Sequence, residues 1–364
     1  MCWLTEGSRV AKTFRVAVVG CGRISKNHFE AIARVDGLDL VAVADILPGR
    51  AAAAGVVNGV PWFTSLEAML EGAECDIVTV ATPSGLHPLH GTLAAQAGKQ
   101  VVTEKPMAIS LAGADELIAA CHDAGVRLFV VKQNRLNPAI QLVKRAVDKG
   151  RFGRIHAANC TVRWSRPQDY YDQAPWRGTW AMDGGAFMNQ ASHYVDLIQW
   201  LAGPVDSVVA MTATQARKIE AEDSGAAVLH FRDGGIGVLD VTMLTYPRNL
   251  EGSLTILGDR GSVKIDGTAV NRVETWLFAD YDDDDKLIER ASTNPPSVYG
   301  FGHEGYYRNV LSVLRGEAEP DTDGEEGRKS LEIILAVYQS ARTGRRVMLS
   351  SAGEAESPES AAVD

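Results

Sequence analysis

The chain has 364 residues, which exceeds one typical hydrophobic core and predicts about two domains. Hydrophobic residues make up 46% of the chain and charged residues 23%, a composition that excludes a largely disordered protein. The formal net charge of −10 argues against nonspecific binding to nucleic acid or to an anionic membrane, so we expect neither partner.

The first half of the chain alternates short apolar runs with helical patterns, which predicts βαβ units and a doubly wound parallel sheet. The predicted strands are Phe14–Val19, Leu38–Ala44, Ile77–Ala81, Gln100–Thr103 and Arg127–Val131. The predicted helices between them are His28–Arg34, Ser65–Leu70, Leu86–Ala97 and Leu111–Ala124.

The pattern changes after residue 137, where a second domain is predicted to begin. A helix over Ala139–Lys149 and a strand over Ile155–Arg163 lead to a further helix over Gly185–Leu201. From 206 to 278, β-rich runs alternate with turn residues, which predicts an antiparallel sheet of several strands.

Cysteine usage and apolar run length indicate the compartment. The five cysteines are an odd number without a C-x-x-C pair, so we expect reduced thiols and no metal site. No apolar run approaches the ~20 residues that span a bilayer, and the N-terminus lacks the pattern of a secretory signal. The expected location is the cytoplasm.

A glycine-rich turn of the form G-x-G-x-x-S follows the first predicted strand. Gly20 permits a tight turn, and Gly22 lacks a Cβ, so that backbone N–H groups at the start of the next helix can approach a pyrophosphate. Ser25 stands where a third glycine or alanine is usual, so the alternative is a plain strand–turn–helix connection.

Asp45 strengthens the dinucleotide interpretation because it ends the second predicted strand, where an acidic side chain would bind the ribose hydroxyls. An acid at this position repels a 2′-phosphate and therefore favours NAD over NADP. Arg50 lies close enough in sequence to oppose that preference.

Two further segments carry candidate catalytic residues. Lys105 precedes Pro106 and should lie in extended backbone at the carboxyl edge of the sheet, although a lysine in such a turn is often only a surface residue. Asn189 and His193 are four residues apart and would share one helical face. His193 is a candidate base, the alternative being a buried histidine that binds backbone.

Four segments carry a family resemblance: GCGRIS from Gly20, ATPSGLHP from Ala81, EKP from Glu104 and GGAFMNQASHYVDLIQWL from Gly184. Together they resemble the glucose-fructose oxidoreductase, inositol dehydrogenase and rhizopine catabolism (Gfo/Idh/MocA) family. The resemblance covers about residues 14–345. It implies an α/β protein, with an N-terminal Rossmann doubly wound domain and a C-terminal α/β domain whose large open sheet is mostly antiparallel.

The domain organisation that follows from this resemblance has four parts. We expect a flexible N-terminus over 1–13, an NAD-binding Rossmann domain over 14–137, a substrate-binding and oligomerisation domain over 138–349, and a mobile tail over 350–364. The outer face of the sheet commonly mediates oligomers in the family, so a homotetramer is expected, with contacts near 243–265.

Further segments narrow the resemblance to the bacterial UDP-N-acetylglucosaminuronic acid 3-dehydrogenases, which contribute to diacetamido-uronic acids of surface polysaccharide such as lipopolysaccharide O-antigen. These segments are KQNRLNP (132–138), RWSRPQDYYDQAPWRGTW (163–180), MLTYPRNLEGSLTILGDRGSVKI (243–265) and SVYGFGHEGYYRNV (297–310). The resemblance implies NAD-dependent oxidation of the sugar 3-hydroxyl, with 2-oxoglutarate as a possible acceptor that regenerates NAD.

The resemblance also implies site residues. NAD would contact Gly20, Gly22, Arg23, Ile24, Asp45, Thr82, Pro83, Ser84, His87, Glu104, Lys105, Trp176 and Arg177. Lys105 would hold the reacting hydroxyl and His193 would accept its proton. Many members have Asp where this chain has Asn189, which would therefore orient the substrate. The UDP-sugar would contact Lys105, Arg163, Arg166, Tyr171, Asn189, Gln190 and His193.

Two alternative functions remain open at this point. One is another sugar or cyclitol dehydrogenase, or a keto-sugar reductase, of the same family. The other is a dinucleotide-sensing regulator without catalysis, although such a protein need not keep both Lys105 and His193.

Overall fold

The computed structural model describes residues 12–293, 300 and 302–349. The chain forms two compact units. Unit 1 comprises Met1–Leu136, Ala181–Asp183 and Tyr299–Arg328, and unit 2 comprises Asn137–Trp180, Gly184–Val298 and Lys329–Asp364. Unit 1 thus includes two later segments of the chain, 181–183 and 299–328, that lie outside the continuous Rossmann domain predicted over 14–137. The predicted mobile tail and most of the predicted flexible N-terminus lie outside the described residues, as does the start of the segment 297–310.

Unit 1 contains a six-stranded parallel sheet in the order β3-β2-β1-β4-β5-β6. Its strands are β1 (Phe14–Val19), β2 (Leu38–Ala44), β3 (Trp62–Phe63), β4 (Ile77–Val80), β5 (Gln100–Thr103) and β6 (Leu128–Val130). The helices between them are α1 (Ser25–Arg34), α2 (Pro48–Asn58), α3 (Leu66–Gly72), α4 (His87–Gln96) and α5 (Leu111–Asp123).

The strands of unit 1 are apolar because helices cover both faces of a doubly wound sheet. All four residues of β4 are buried, as are five of the six in β1. The strand order reverses between β1 and β4, and ligands of such sheets bind at the carboxyl ends of the strands beside this reversal. The predicted doubly wound domain is confirmed.

Unit 2 contains an eight-stranded sheet in the order β13-β12-β11-β7-β10-β9-β8-β14, in which only the β7–β10 pair is parallel. Its elements are α6 (Pro138–Asp148), β7 (Ile155–Arg163), α7 (Gln168–Asp172), α8 (Ser192–Ala202), β8 (Val205–Ala213), β9 (Ser224–Phe231), β10 (Ile236–Thr242), β11 (Glu251–Gly258), β12 (Gly261–Asp266), β13 (Arg272–Phe278), α9 (Ile288–Ala291) and β14 (Val347–Met348).

Two longer helices lie between α9 and β14 in the chain. Helix α10 (Gly302–Leu314) belongs to unit 1, and α11 (Gly324–Thr343) begins in unit 1 and ends in unit 2. Within the described ranges, no helix has both the length and the apolar character needed to cross a bilayer.

The segment predicted as one helix over Gly185–Leu201 is not continuous. Ala186–Gln190 form a π-helical turn, in which the N–H of Ala191 donates to the carbonyl of Ala186 at 2.8 Å, and α8 begins after it. Turns of this kind often occur at functional sites. The i, i+4 spacing of one α-helix therefore does not apply to Asn189 and His193.

Candidate active site

The glycine-rich turn of unit 1 lies at the carboxyl end of β1. Gly20 has φ +96°, and a Cβ on it would lie 2.4 Å from the carbonyl oxygen of Ala81, so only glycine fits there. A Cβ on Gly22 would meet no protein atom within 4 Å. Packing does not require glycine at position 22, whereas close approach of a pyrophosphate to the backbone would. This turn therefore fits a dinucleotide.

Asp45, which follows β2, is hydrogen-bonded to this turn. Its carboxylate accepts the N–H of Cys21 at 2.9 Å and the N–H of Leu47 at 2.9 Å. Arg23 and Ile24 complete the turn before α1. The predicted cofactor residues of β1 and β2 thus lie beside one another because parallel neighbours end at one edge of the sheet.

The segment after β4 contains Thr82, Pro83 and Ser84 and continues into α4 through a short 3₁₀ turn. Buried His87 links it to the segment after β5: Nε2 lies 2.8 Å from the carbonyl oxygen of Thr82, and Nδ1 lies 2.7 Å from that of Pro106. Burial lowers the pKa of His87, although both carbonyl oxygens oppose this effect. Since one ring nitrogen faces the backbone of each segment, His87 packs between the two segments.

Glu104 and Lys105 follow β5 directly. Oε2 of Glu104 accepts the backbone N–H of Lys105 at 3.0 Å, and Oε1 lies 3.1 Å from Nε2 of His28. Burial opposes ionisation of Glu104, but the hydrogen bond from His28 and the proximity of the His303 ring outweigh it and hold the pKa of Glu104 well below its usual range. Glu104 is therefore a carboxylate enclosed by histidines, and Lys105 is its half-buried neighbour.

Unit 2 brings several predicted substrate residues into one hydrogen-bonded cluster. Nε of Arg166 donates to Oε1 of Gln190 at 2.9 Å, and Nε2 of Gln190 donates to Oδ1 of Asn189 at 2.9 Å and to the hydroxyl of Tyr170 at 3.0 Å. Arg177 donates to the same hydroxyl. Tyr170 thus links Arg177 to Arg166 through Gln190.

The remaining predicted residues of unit 2 have different surroundings. Arg163 forms ion pairs with Asp240 and Glu251, so its charge is already compensated. Tyr171 is buried and meets the ring of Tyr170 edge to face.

Trp176 contacts an arginine, whereas His193 is buried in a helix. The guanidinium of Arg177 lies 4.7 Å from the ring centroid of Trp176. His193 lies in the first turn of α8 and is 6% exposed. A histidine so shielded from water would need a defined hydrogen-bond partner in each charge state.

Glu222 and Tyr338 support the π-helical turn and were not predicted. Glu222 accepts the N–H of Phe187 at 2.8 Å and the hydroxyl hydrogen of Tyr338 at 3.0 Å, and that hydroxyl accepts the N–H of Met188 at 3.1 Å. Burial raises the pKa of Glu222 to about 7. These residues are far from the turn in sequence, and no local pattern distinguishes them.

A cavity of about 750 Å³ lies beside the Arg166 cluster within unit 2. Oδ1 of Asn249, in its wall, accepts the N–H of Ser165 and a guanidinium hydrogen of Arg166. The lining includes two arginines and no carboxylate: it consists of Ser165, Pro167, Arg217, Leu244, Thr245, Tyr246, Pro247, Arg248, Asn249 and Thr268. The two guanidinium groups in this otherwise largely apolar wall suit an anion.

Two family models match the chain. The model for the NAD-binding Rossmann fold of the Gfo/Idh/MocA oxidoreductase family matches residues 14–132, and the model for its C-terminal alpha/beta domain matches 144–349. The chain belongs to the Gfo/Idh/MocA oxidoreductase family. The family, the enzyme class and NAD as the cofactor, all predicted from the sequence, are thereby confirmed.

Individual relatives cover nearly the whole chain. The WlbA dehydrogenase from Bordetella pertussis, solved in complex with NADH and UDP-GlcNAcA, is 54% identical, has a TM-score of 0.91, and covers 94% of this chain and 100% of its own. The WlbA dehydrogenase from Chromobacterium violaceum, with the same two ligands, is 52% identical, with a TM-score of 0.90 and coverages of 94% and 97%. D-apiose dehydrogenase of Paraburkholderia graminis is 30% identical, with coverages of 98% and 94%.

Proposed function

We propose that this chain uses NAD to oxidise the 3-hydroxyl of UDP-N-acetylglucosaminuronic acid (UDP-GlcNAcA) to the 3-keto sugar. The observation that carries this proposal is the identity of 52% and 54% to two dehydrogenases that were each solved with NADH and UDP-GlcNAcA. The relative named for a free sugar, D-apiose dehydrogenase, is only 30% identical.

The cavity of unit 2 supports a nucleotide sugar because its chemistry complements the substrate. The diphosphate and the uronate carry roughly three negative charges at neutral pH, while the chain itself has a net charge of −10. Local cations must therefore bind the substrate. Arg217 and Arg248 line the cavity and Arg166 lies beside it, and guanidinium groups match phosphate and carboxylate geometry.

The proposed catalytic roles are those that the family resemblance implies. His193 takes the proton of the sugar hydroxyl, and the ammonium group of Lys105 donates a hydrogen bond to the same oxygen. When bound, NAD supplies the acceptor for the hydride. Asn189 orients the sugar, because an amide does not relay a proton. Removing the proton raises the electron density at carbon 3 and so favours loss of hydride.

The biological setting of the reaction is also a proposal. The 3-keto sugar would be an intermediate for a diacetamido-uronic acid of surface polysaccharide, made in the cytoplasm by a homotetramer. Oxidation of an alcohol by NAD is unfavourable at neutral pH, so a second substrate such as 2-oxoglutarate would regenerate NAD, and transfer of an amino group to the ketone would remove the product.

Mass spectrometry of the reaction tests the proposal directly. Purified protein is incubated with UDP-GlcNAcA and NAD, with and without 2-oxoglutarate, and the sugar is examined for loss of two hydrogens. We expect this loss with 2-oxoglutarate present. D-apiose and myo-inositol serve as comparison substrates, and oxidation of either one in place of UDP-GlcNAcA would favour the alternative of a free-sugar or cyclitol dehydrogenase.

A further inference from the structure

A chain of buried polar side chains connects β4, α1 and α10 to the end of β5 within unit 1. Nδ1 of His28 lies 2.9 Å from the hydroxyl of Tyr307, and that hydroxyl lies 2.9 Å from Oγ1 of Thr79. Nε2 of His28 lies 3.1 Å from Glu104, as described above. All four residues are 5% exposed or less, so their polar atoms depend on one another for hydrogen bonds.

The direction of the hydrogen bond between His28 and Glu104 follows from the charge of Glu104. A carboxylate only accepts hydrogen bonds, so Nε2 of His28 carries a hydrogen and donates it. Nδ1 of the same ring and Oγ1 of Thr79 are both hydrogen-bonded to the hydroxyl of Tyr307. The series of hydrogen bonds that begins at Thr79 therefore ends at the carboxylate of Glu104.

Glu104 connects these hydrogen bonds to Lys105 through its second carboxylate oxygen. Oε2 accepts the backbone N–H of Lys105, while Oε1 is held by His28. The ring of His303 meets the ring of His28 edge to face at 5.4 Å, and Nε2 of His303 lies 3.9 Å from Oε1. The carboxylate is thus enclosed on the side away from Lys105.

We propose that His28, Tyr307 and Thr79 are positioning residues that act on Lys105 through Glu104. The proposal rests on the proposed function, since it assumes that Lys105 binds the reacting hydroxyl. A displacement of about 1 Å in a catalytic group can lower a rate ~100-fold. Loosening Glu104 should therefore reduce turnover without removing any group that contacts a ligand.

Two adjacent tyrosines of α10 provide a matched test. Tyr307→Phe removes the hydroxyl that joins Thr79 to His28. Tyr306→Phe removes a hydroxyl that is equally buried but has no hydrogen-bond partner among the described residues. We expect Tyr307→Phe to lower kcat at least ~10-fold with KM changed less than ~3-fold, and Tyr306→Phe to change neither. Thr79→Val removes the hydroxyl at the end of the hydrogen-bonded series farthest from Glu104, so it should lower kcat less than Tyr307→Phe does. If Tyr307→Phe does not fold, Thr79→Val replaces it as the test variant.

Hydrogen exchange supplies a readout that needs no substrate. In a peptide spanning Thr103–Met107, Pro106 has no amide hydrogen, so few amides contribute to the signal. We expect the amide of Lys105 to exchange faster in Tyr307→Phe than in Tyr306→Phe. Equal exchange in the two variants would overturn the proposed chain.

Kinetics and hydrogen exchange together show which proposal fails, the proposed function or the positioning role of Tyr307. If the wild-type protein does not oxidise UDP-GlcNAcA, the proposed function fails, and hydrogen exchange still decides whether Tyr307 constrains Lys105. Faster exchange together with unchanged kcat in an active enzyme would overturn the positioning role.

Metal analysis tests a competing explanation of the same cluster. His28, Glu104 and His303 each offer a ligand atom, and these three atoms lie within 4.8 Å of one another. About one equivalent of zinc per chain in protein purified without chelator would overturn the hydrogen-bonded chain in favour of a metal site. We expect no stoichiometric metal.

Discussion

Gly20 in unit 1 and Gly185 in unit 2 each begin a turn that carries predicted site residues, and a side chain crowds only the second of these glycines. A Cβ on Gly20 would meet the backbone carbonyl of Ala81, whereas a Cβ on Gly185 would lie 1.9 Å from Oε2 of Glu222 and 2.5 Å from the carbonyl oxygen of the same residue. The first turn leads into the regular helix α1, and the second leads into the π-helical turn Ala186–Gln190.

Backbone atoms alone exclude a side chain at position 20, whereas a titratable side chain as well as backbone excludes one at position 185. In unit 1, the parallel sheet holds the carbonyl that faces Gly20. In unit 2, Glu222 and Tyr338 bind the N–H groups of Phe187 and Met188. The turn of unit 2 should therefore respond to pH near 7, where Glu222 titrates, and to substitution of Glu222 or Tyr338.

Gly20→Ala should have the largest effect because it combines positive φ with a backbone clash. We expect little folded protein, or an NADH affinity at least ~100-fold weaker. Gly22→Ala is the matched control for folding: its free energy of unfolding should stay within ~1 kcal/mol of wild type, while NADH binding weakens. Thermal unfolding and NADH fluorescence titration measure both quantities. Equal stability of the two variants would contradict the backbone argument.

Lys105→Ala and His193→Ala compare one predicted catalytic residue from each unit. Each should lower turnover at least ~100-fold through loss of acid–base catalysis, while the variant still binds NADH. Steady-state kinetics with UDP-GlcNAcA and NADH titration provide the two readouts. Normal turnover in both variants would show that the assigned roles are wrong.

Glu222→Gln tests the pH sensitivity of unit 2. Since the pKa of Glu222 is raised to about 7 in the folded state, the folded protein keeps a proton that the unfolded chain loses above about pH 4.5. The free energy of unfolding should therefore fall by about 3 kcal/mol as the pH rises from 4.5 to 7. Denaturant titrations at pH 5 and pH 8 should show a smaller fall in the variant.

Glu289→Gln is the control for this measurement, because Glu289 is an exposed glutamate of the same unit. It should keep the wild-type dependence on pH. If Glu222→Gln and Glu289→Gln behave alike, burial of Glu222 is not the cause of the pH dependence.

Arg217→Ala and Arg248→Ala should each raise the KM for UDP-GlcNAcA about 10-fold, in line with loss of one charge-assisted contact of ~1.5 kcal/mol. Arg163→Ala is the comparison, because Asp240 and Glu251 already compensate that guanidinium. Steady-state kinetics at saturating NAD measure all three. A larger effect from Arg163→Ala would place the anion near β7 and away from the cavity.

Much of the Rossmann unit could be predicted because its signals are local. β1, β2 and β5 have the predicted bounds, since parallel strands covered on both faces are continuous apolar runs. Helix α2 was missed, because it buries only Ala51 and Gly55 and so shows little of the periodic pattern of a packed helix.

The sequence by itself determined the family, the two folds, and the positions of Gly20, Asp45 and Lys105, because parallel strands bring their carboxyl ends to one edge in a known order. Only the tertiary structure decided which side chains support those residues. Glu104 meets His28 and His303, and Glu222 meets the turn before α8, across long stretches of chain. Such partners are selected by burial, where each polar atom must find a hydrogen bond, and that requirement has no local sequence pattern.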